Sequence, residues 1–146
     1  MPRSCRVCAC TDDYCEPCIR FSGEPCRWVG PRLCSTCAAV KPAGRWRRGE
    51  LLWVWRLLRG CHVYRVVRRL YHFGRGDTRP CDWIGFDFII GNLRWRVPPG
   101  SGLASLRRRK LIERAGTVTG YTDKPDGYEF RLTTKARAIA QPEKAA

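Results

Sequence analysis

Gly100-Ser-Gly-Leu-Ala-Ser-Leu-Arg-Arg-Arg-Lys-Leu-Ile-Glu-Arg-Ala-Gly116 runs directly into Thr117-Val-Thr-Gly-Tyr-Thr-Asp-Lys-Pro-Asp-Gly-Tyr-Glu-Phe-Arg-Leu-Thr-Thr-Lys-Ala-Arg-Ala-Ile-Ala140. This stretch decides the fold. Ser101 suits an N-cap, because its hydroxyl can accept from the open N–H groups of the next turn. Leu103 and Leu106, three apart, share one helical face, while Arg107, Arg108 and Arg109 spread over the remainder. From Leu111-Ile112 onward the pattern turns extended. Asp123-Lys124-Pro125-Asp126-Gly127 has turn composition, with Asp-Gly at its tightest point. Tyr128 to Leu132 alternates as a strand does, and Thr133 then caps a short helix from Thr134 to Ala140.

Helix, hairpin and helix in this order resemble the second half of a winged helix-turn-helix domain. The family motif has a leucine, a Gly-Leu-Ile helix end, a basic hairpin and Leu-Thr-x-x-Gly. It is matched here by Leu106, by Lys110-Leu111-Ile112, and by Leu132-Thr133-Thr134-Lys135-Ala136. Lys110 stands where the family has a glycine, so a lysine must enter the left-handed region at a steric cost. Ala136 replaces the second glycine inside a helix, where it does no harm. The resemblance covers about the last third of the chain. It implies duplex DNA as partner, with the helix around Ser101–Arg109 in the major groove and the hairpin tip on a phosphate or in the minor groove. On that expectation Ser101, Ser105, Arg107, Arg108 and Arg109 meet the duplex, and Lys124 sits at the tip. Arginine can pair with guanine through two hydrogen bonds, whereas lysine mainly meets phosphate.

Charge separates the chain into two parts. Of a formal net charge of +15 over 146 residues, the first 40 residues carry +1 and residues 41–146 carry +14. A strongly basic segment attracts polyanions, and counterion release supplies much of the binding free energy. The start, Met-Pro-Arg-Ser-Cys, has no apolar core of a signal peptide, and no run reaches the roughly 18 apolar residues of a membrane span. The expected location is the cytoplasm of a bacterial host cell, where thiols stay reduced.

Eight of the ten cysteines lie in residues 5–37: Cys5, Cys8, Cys10, Cys15, Cys18, Cys26, Cys34 and Cys37. Cys5/Cys8, Cys15/Cys18 and Cys34/Cys37 are Cys-x-x-Cys pairs, a spacing at which two thiolates can face one ion. Zinc takes four such ligands tetrahedrally. A segment this short and polar cannot fold on apolar burial alone, so the metal would supply folding free energy. A disulfide knot and an iron–sulfur cluster are the alternatives. The simplest zinc site joins Cys5/Cys8 to Cys34/Cys37. Cys10, Cys15, Cys18 and Cys26 then hold a second ion or share bridging ligands with the first, so the expected cofactor is one or two structural Zn2+ ions. Trp28, Val29 and Leu33 read as an apolar cap on the knuckle. The segments Cys5-Arg-Val-Cys-Ala-Cys-Thr, Cys26-Arg-Trp and Leu33-Cys-Ser-Thr-Cys resemble the cysteine-rich start of small bacteriophage and prophage proteins. That resemblance implies a metal knuckle and a mobile-element origin, not an activity.

Between these ends, residues 41–49 read as a basic linker in which Arg45, Arg47 and Arg48 can track a phosphate backbone, or as a solvated hinge. Glu50 to Arg59 reads as a buried first helix, with Trp53 and Trp55 in the core. Val63, Val66, Val67 and Leu70 give a helical stripe. The spacing predicts an amphipathic helix to about Phe73, with Arg65, Arg68 and Arg69 off the stripe and available to phosphates. Ile84, Phe86, Phe88 and Ile90 alternate, and Leu93, Trp95 and Val97 continue with a break at Gly91-Asn92. This is either an inserted hairpin or a helix whose pattern misleads. His62, His72, Cys61 and Cys81 read as structural or packed.

The expected class is therefore α+β: a winged helix-turn-helix domain over 50–146, a linker over 41–49, and a Cys-rich zinc-binding module over 1–40. No catalytic constellation is visible, and a four-thiolate zinc has no open position, so the chain does not read as an enzyme. Cys15-Glu-Pro-Cys18 has redox spacing but lacks the flanking strand and helix. The functional expectation is a phage-type DNA-binding protein that regulates transcription, alone or as a homodimer. The alternative is a phage-encoded inhibitor whose basic face binds a host protein such as an RNA polymerase or a defence nuclease. RNA is a weaker option, since the basic helix carries no aromatic residues.

Overall fold

A computed structural model describes residues 3–60, 62–66, 85–90, 93–97, 102–119 and 125–145. The cysteine-rich segment forms α1 (Glu16–Ser22), a small hairpin of β1 (Trp28–Gly30) and β2 (Leu33–Cys34), and the single turn α2 (Ser35–Ala38). There follow α3 (Glu50–Leu58), β3 (His62–Val66), β4 (Gly85–Ile90), β5 (Leu93–Val97), α4 (Gly102–Arg108), β6 (Ile112–Thr119), β7 (Pro125–Leu132), α5 (Thr134–Ala140) and α6 (Pro142–Ala145). The protein is α+β. Its larger sheet has the order β5-β4-β3-β7-β6 with antiparallel neighbours throughout.

The helical end of the opening stretch forms for identifiable reasons. Leu103 and Leu106 are fully buried on one face of α4. The helix closes in a Schellman motif: Leu111 N–H donates to Leu106 C=O at 2.9 Å and Lys110 N–H to Arg107 C=O at 3.1 Å. Lys110 takes the left-handed turn at φ 58°, the position that favours glycine. Thr133 then caps α5 by accepting from Ala136 N–H at 3.2 Å. Its own N–H donates to Leu111 C=O at 3.0 Å, which ties the start of α5 to the end of α4.

The core of this half gathers Trp53, Val54, Val63, Leu103, Leu106, Leu111, Ile112, Phe130, Leu132, Ala136 and Ala140. α3 also serves the other half. Trp55 is buried among the cysteines, with Leu52 beside it, and its indole N–H donates to Cys37 C=O at 2.7 Å. The expected first helix is thus present, and it is shared between two cores. Residues 41–49 are not a free strap. Pro42 is buried, Ala43 N–H donates to Ala140 C=O at 2.8 Å, and the Trp46 indole donates to Ala43 C=O at 2.9 Å.

Two expectations need correction. The helix predicted from Val63 is instead a strand over His62–Val66, paired with β4 on one side and β7 on the other. Val63 and Val66 satisfy a helical stripe, but a β-branched and aromatic run between two available edges takes the ladder. Arg65 therefore sits in β3, at register with Phe86 and Tyr128, not on a helix. Arg68, Arg69 and the remainder of that predicted helix lie outside the described residues. Second, Asp126 and Gly127 belong to β7, where Gly127 is at register with Val118 and Val66. The ladder begins at Pro125, a first-strand position that needs no N–H partner. Ser101 and Lys124 also lie outside the described residues. The alternation over 84–97 is carried by β4 and β5, paired antiparallel and placed between β3 and α4 in the chain, with Ile84 and Gly91-Asn92 outside the described residues.

Candidate metal centre and basic helix

The cysteine segment folds so that neighbouring cysteines point at one place. Cys5 N–H donates to Cys10 C=O at 2.9 Å and Ala9 N–H to Cys5 C=O at 2.8 Å. Ala9 adopts φ 60°. This tight turn buries Cys5, Cys8 and Cys10 together around the fully buried Val7. Cys15 precedes α1, whose first turn brings Cys18 inward, and Cys34 and Cys37 flank the first turn of α2. The β1–β2 hairpin carries Cys34 back to the others, and Cys26 N–H donates to the Cys15 sulfur at 3.2 Å. Of the expected cap, Trp28 and Leu33 pack on the cluster, whereas Val29 is 49% exposed.

All eight thiols are free and form one continuous group. Cys8, Cys18 and Cys34 make a triangle with sulfur separations of 3.9, 3.8 and 3.9 Å. Cys10 lies 3.7 Å from Cys26, which lies 3.2 Å from Cys15. Two quartets have all sulfurs within 4.8 Å of one another and can hold a metal ion: Cys5, Cys8, Cys10, Cys34 and Cys10, Cys18, Cys26, Cys34. The quartet expected from spacing alone, Cys5/Cys8 with Cys34/Cys37, differs from the first of these in one member: Cys10 stands in place of Cys37. Sequence spacing favoured Cys-x-x-Cys pairs, and Cys10 belongs to none.

Hydrogen bonding among the thiols shifts them in opposite directions. Cys10, ahead of its other neighbours, pulls Cys5, Cys18 and Cys34 down, Cys34 to about 7. Cys18 chiefly pushes Cys10 up, and Cys34 chiefly pushes Cys37 up. Thiols gathered this closely are suited to exchange their protons for a shared cation.

Sequence reasoning missed Arg59. It is 2% exposed, its guanidinium lies over the Phe21 ring at 4.4 Å, and its Nε and one terminal nitrogen have no hydrogen-bond partner in the protein. Burial works against its charge, but the hydrogen bond with Cys18 and the nearby Cys37 and Cys8 sulfurs outweigh that and raise its affinity for the proton. Arg56 bonds the backbone instead, through Val7 C=O at 3.1 Å and Arg6 C=O at 3.0 Å.

The basic helix α4 is fastened to α3 at both ends. A Cβ placed on Gly102 would meet the backbone carbonyl of Gly49 at 2.2 Å, so the two helix starts touch main chain to main chain. The fully buried Glu50 carboxylate accepts from Arg47 N–H at 2.6 Å, from the Ser105 hydroxyl at 2.9 Å and from the Arg109 guanidinium. Burial alone would raise the Glu50 carboxyl. The Arg47 N–H, then Arg109 and Ser105, outweigh it and hold it below the ordinary carboxylate range. Ser105 and Arg109 are thus engaged inward. Arg107, Arg108 and Lys110 are exposed, as are Arg45, Arg47 and Arg48 in the segment before α3. On the adjoining hairpin Arg131 pairs with Glu113 at 2.9 Å.

Among the described residues no helix is long and apolar enough to cross a membrane. No protein-family model, curated protein or solved structure matches this chain.

Proposed function

We propose that the protein binds duplex DNA through α4 and the segment before α3, and that zinc held by the cysteine cluster shapes its front half. The observation that carries this reading is the way α4 is held. Gly102 and Glu50 pin it to α3, and Arg107, Arg108 and Lys110 project outward on a chain of net charge +15. A short basic helix fixed in place loses little entropy on entering a major groove. Arg47 and Arg48, next to the Glu50 contact, extend the cationic surface along a phosphate backbone.

The arrangement α3, β3, α4, β6, β7, with β7 between β3 and β6, supports a winged-helix reading. The β4–β5 hairpin is then an insertion where that family has its second helix. In this setting α4 reads bases and the β6–β7 hairpin meets the backbone. A transcriptional regulator of phage type is the role such a module fits. Zinc is supported by sulfur separations of 3.7–3.9 Å within the quartets, Cys8–Cys34, Cys10–Cys26 and Cys18–Cys34: Zn–S bonds of about 2.3 Å at tetrahedral angles put sulfurs about 3.8 Å apart. Thiolates bound to the separate irons of a sulfide-bridged cluster are spread more widely. A closed four-thiolate zinc has no open position, so its role is structural.

The test is anisotropy of labelled random duplex across a salt series. Affinity should fall steeply with salt, and Arg107→Ala with Arg108→Ala should flatten the log–log slope by about 0.9 for each phosphate no longer neutralised. A binding curve indifferent to salt and to both substitutions would refute the reading. The inhibitor reading has one observation in its favour: Ile19, Phe21 and Val29 are large apolar residues exposed on the cysteine half. It requires one host protein to co-purify after nuclease treatment while duplex DNA is ignored.

A further inference from the structure

We propose that the cysteine cluster is a two-ion centre in which the Cys10 and Cys34 thiolates each bridge both ions, with the buried Arg59 guanidinium as its internal counter-charge. This rests on the metal reading above. The two quartets share two members, Cys10 and Cys34. Tetrahedral coordination of two ions needs eight metal–sulfur bonds, and the six residues of the quartets supply them only if those two are shared. Contacts between the quartets are as short as those within them: Cys8 lies 3.9 Å from Cys18, and Cys34 lies 3.8 Å from Cys8 and 3.9 Å from Cys18. Two independent four-thiolate sites would not interleave in this way, because each would carry a net double negative charge at close range in a buried place. Sharing two thiolates leaves one net double negative charge for the whole centre.

Arg59 answers that charge. A guanidinium that is 2% exposed with unpartnered N–H groups would be costly to bury anywhere else. Here it sits one turn after Trp55, which is buried among the cysteines, and N–H to thiolate-sulfur hydrogen bonds would satisfy it once the sulfurs are metal-bound. It positions and neutralises the centre without ligating it. Cys15 and Cys37 lie outside both quartets. Cys15 leans on Cys26, and the Cys37 carbonyl receives the Trp55 indole.

The full chain loaded with 113Cd2+ provides the test. Two cadmium equivalents per chain are expected, and in a proton–cadmium correlation spectrum the β-protons of Cys10 and Cys34 alone should couple to both cadmium signals. Elemental analysis of Cys15→Ser and Cys37→Ser should still give two ions per chain, whereas Cys10→Ser and Cys34→Ser should each disturb both signals. One equivalent per chain, or two signals with every cysteine coupled to only one, overturns the bridged centre but leaves a metal centre standing. No bound cadmium overturns both. In chelator competition Arg59→Met should weaken cadmium binding about 10-fold or more, with Arg59→Lys recovering part of the loss. Equal affinity of the wild type and Arg59→Met removes the counter-charge.

Discussion

In residues 3–40 the fully buried side chains are Val7 and the cysteines Cys8, Cys10, Cys18, Cys34 and Cys37; among the described residues after α3 they are Val63, Leu103, Leu106 and Ala136, with Leu111, Leu132 and Ala140 close behind. The first set has almost no apolar volume to remove from water. The second is an ordinary core, each large side chain contributing about 1.5–3 kcal/mol by burial. The two halves therefore solve the folding problem by different physics. α3 joins them, giving Trp53 and Val54 to one core and Trp55 to the other. A shared helix lets the cysteine half be ordered against an apolar scaffold.

Metal removal should separate the halves most widely. Chelation, or acid strong enough to protonate the thiolates, should abolish amide protection over residues 5–37, since a structural zinc contributes on the order of 10 kcal/mol or more. Amides of Leu106, Leu111 and Leu132 should stay protected in a hydrogen-exchange measurement. Uniform loss of protection would show that the second core cannot stand alone.

The next effect acts on the other half. Glu50→Ala strands the Arg47 N–H and the Ser105 hydroxyl and leaves Arg109, 29% exposed, without its anion. Denaturant unfolding should show a loss of about 3 kcal/mol. The pH dependence has a defined sign. The folded Glu50 carboxyl lies below its unfolded value, so its contribution is complete above the ordinary carboxylate range and is lost as pH falls through the lower folded value. Glu50→Gln should remove that part of the acid slope, and an unchanged slope would count against the ion pair.

Gly102→Ala is smaller and more local. The new methyl meets the Gly49 carbonyl at 2.2 Å, so α3 and α4 must separate, at a cost of about 1–3 kcal/mol. Weaker DNA binding should accompany the lost stability if α4 is the reading helix. The smallest effect has the opposite sign. Lys110→Gly relieves a left-handed lysine at φ 58° and should stabilise the chain by about 0.5–1 kcal/mol after glycine's own entropy cost, visible as a small rise in melting temperature.

Much of the second half was legible in the chain. Leu103 and Leu106, the left-handed demand on Lys110, and Thr133 before Thr134 are local signals, and each appears in the structure as read. The stripe at Val63 misled because Val63 and Val66 fit a helix and a strand equally, and the choice fell to edges offered by β4 and β7. The inward turn of Ser105 and Arg109 could not be read locally, since their partner Glu50 lies 55 and 59 residues away. A lone acid between Arg45–Arg48 and an apolar helix was the available hint. Arg59 gave no sign at all, its meaning resting on thiols brought to it by folding.

Sequence by itself determined the clustering of cysteines before residue 40, the concentration of positive charge after it, and the helix–hairpin–helix order of the last third, because spacing, composition and caps act over a few residues. Tertiary structure alone decided which cysteines form quartets, which arginines face outward, and that one helix completes two cores. Those outcomes depend on distances between segments far apart in the chain, and burial and charge pairing are settled only when the segments meet.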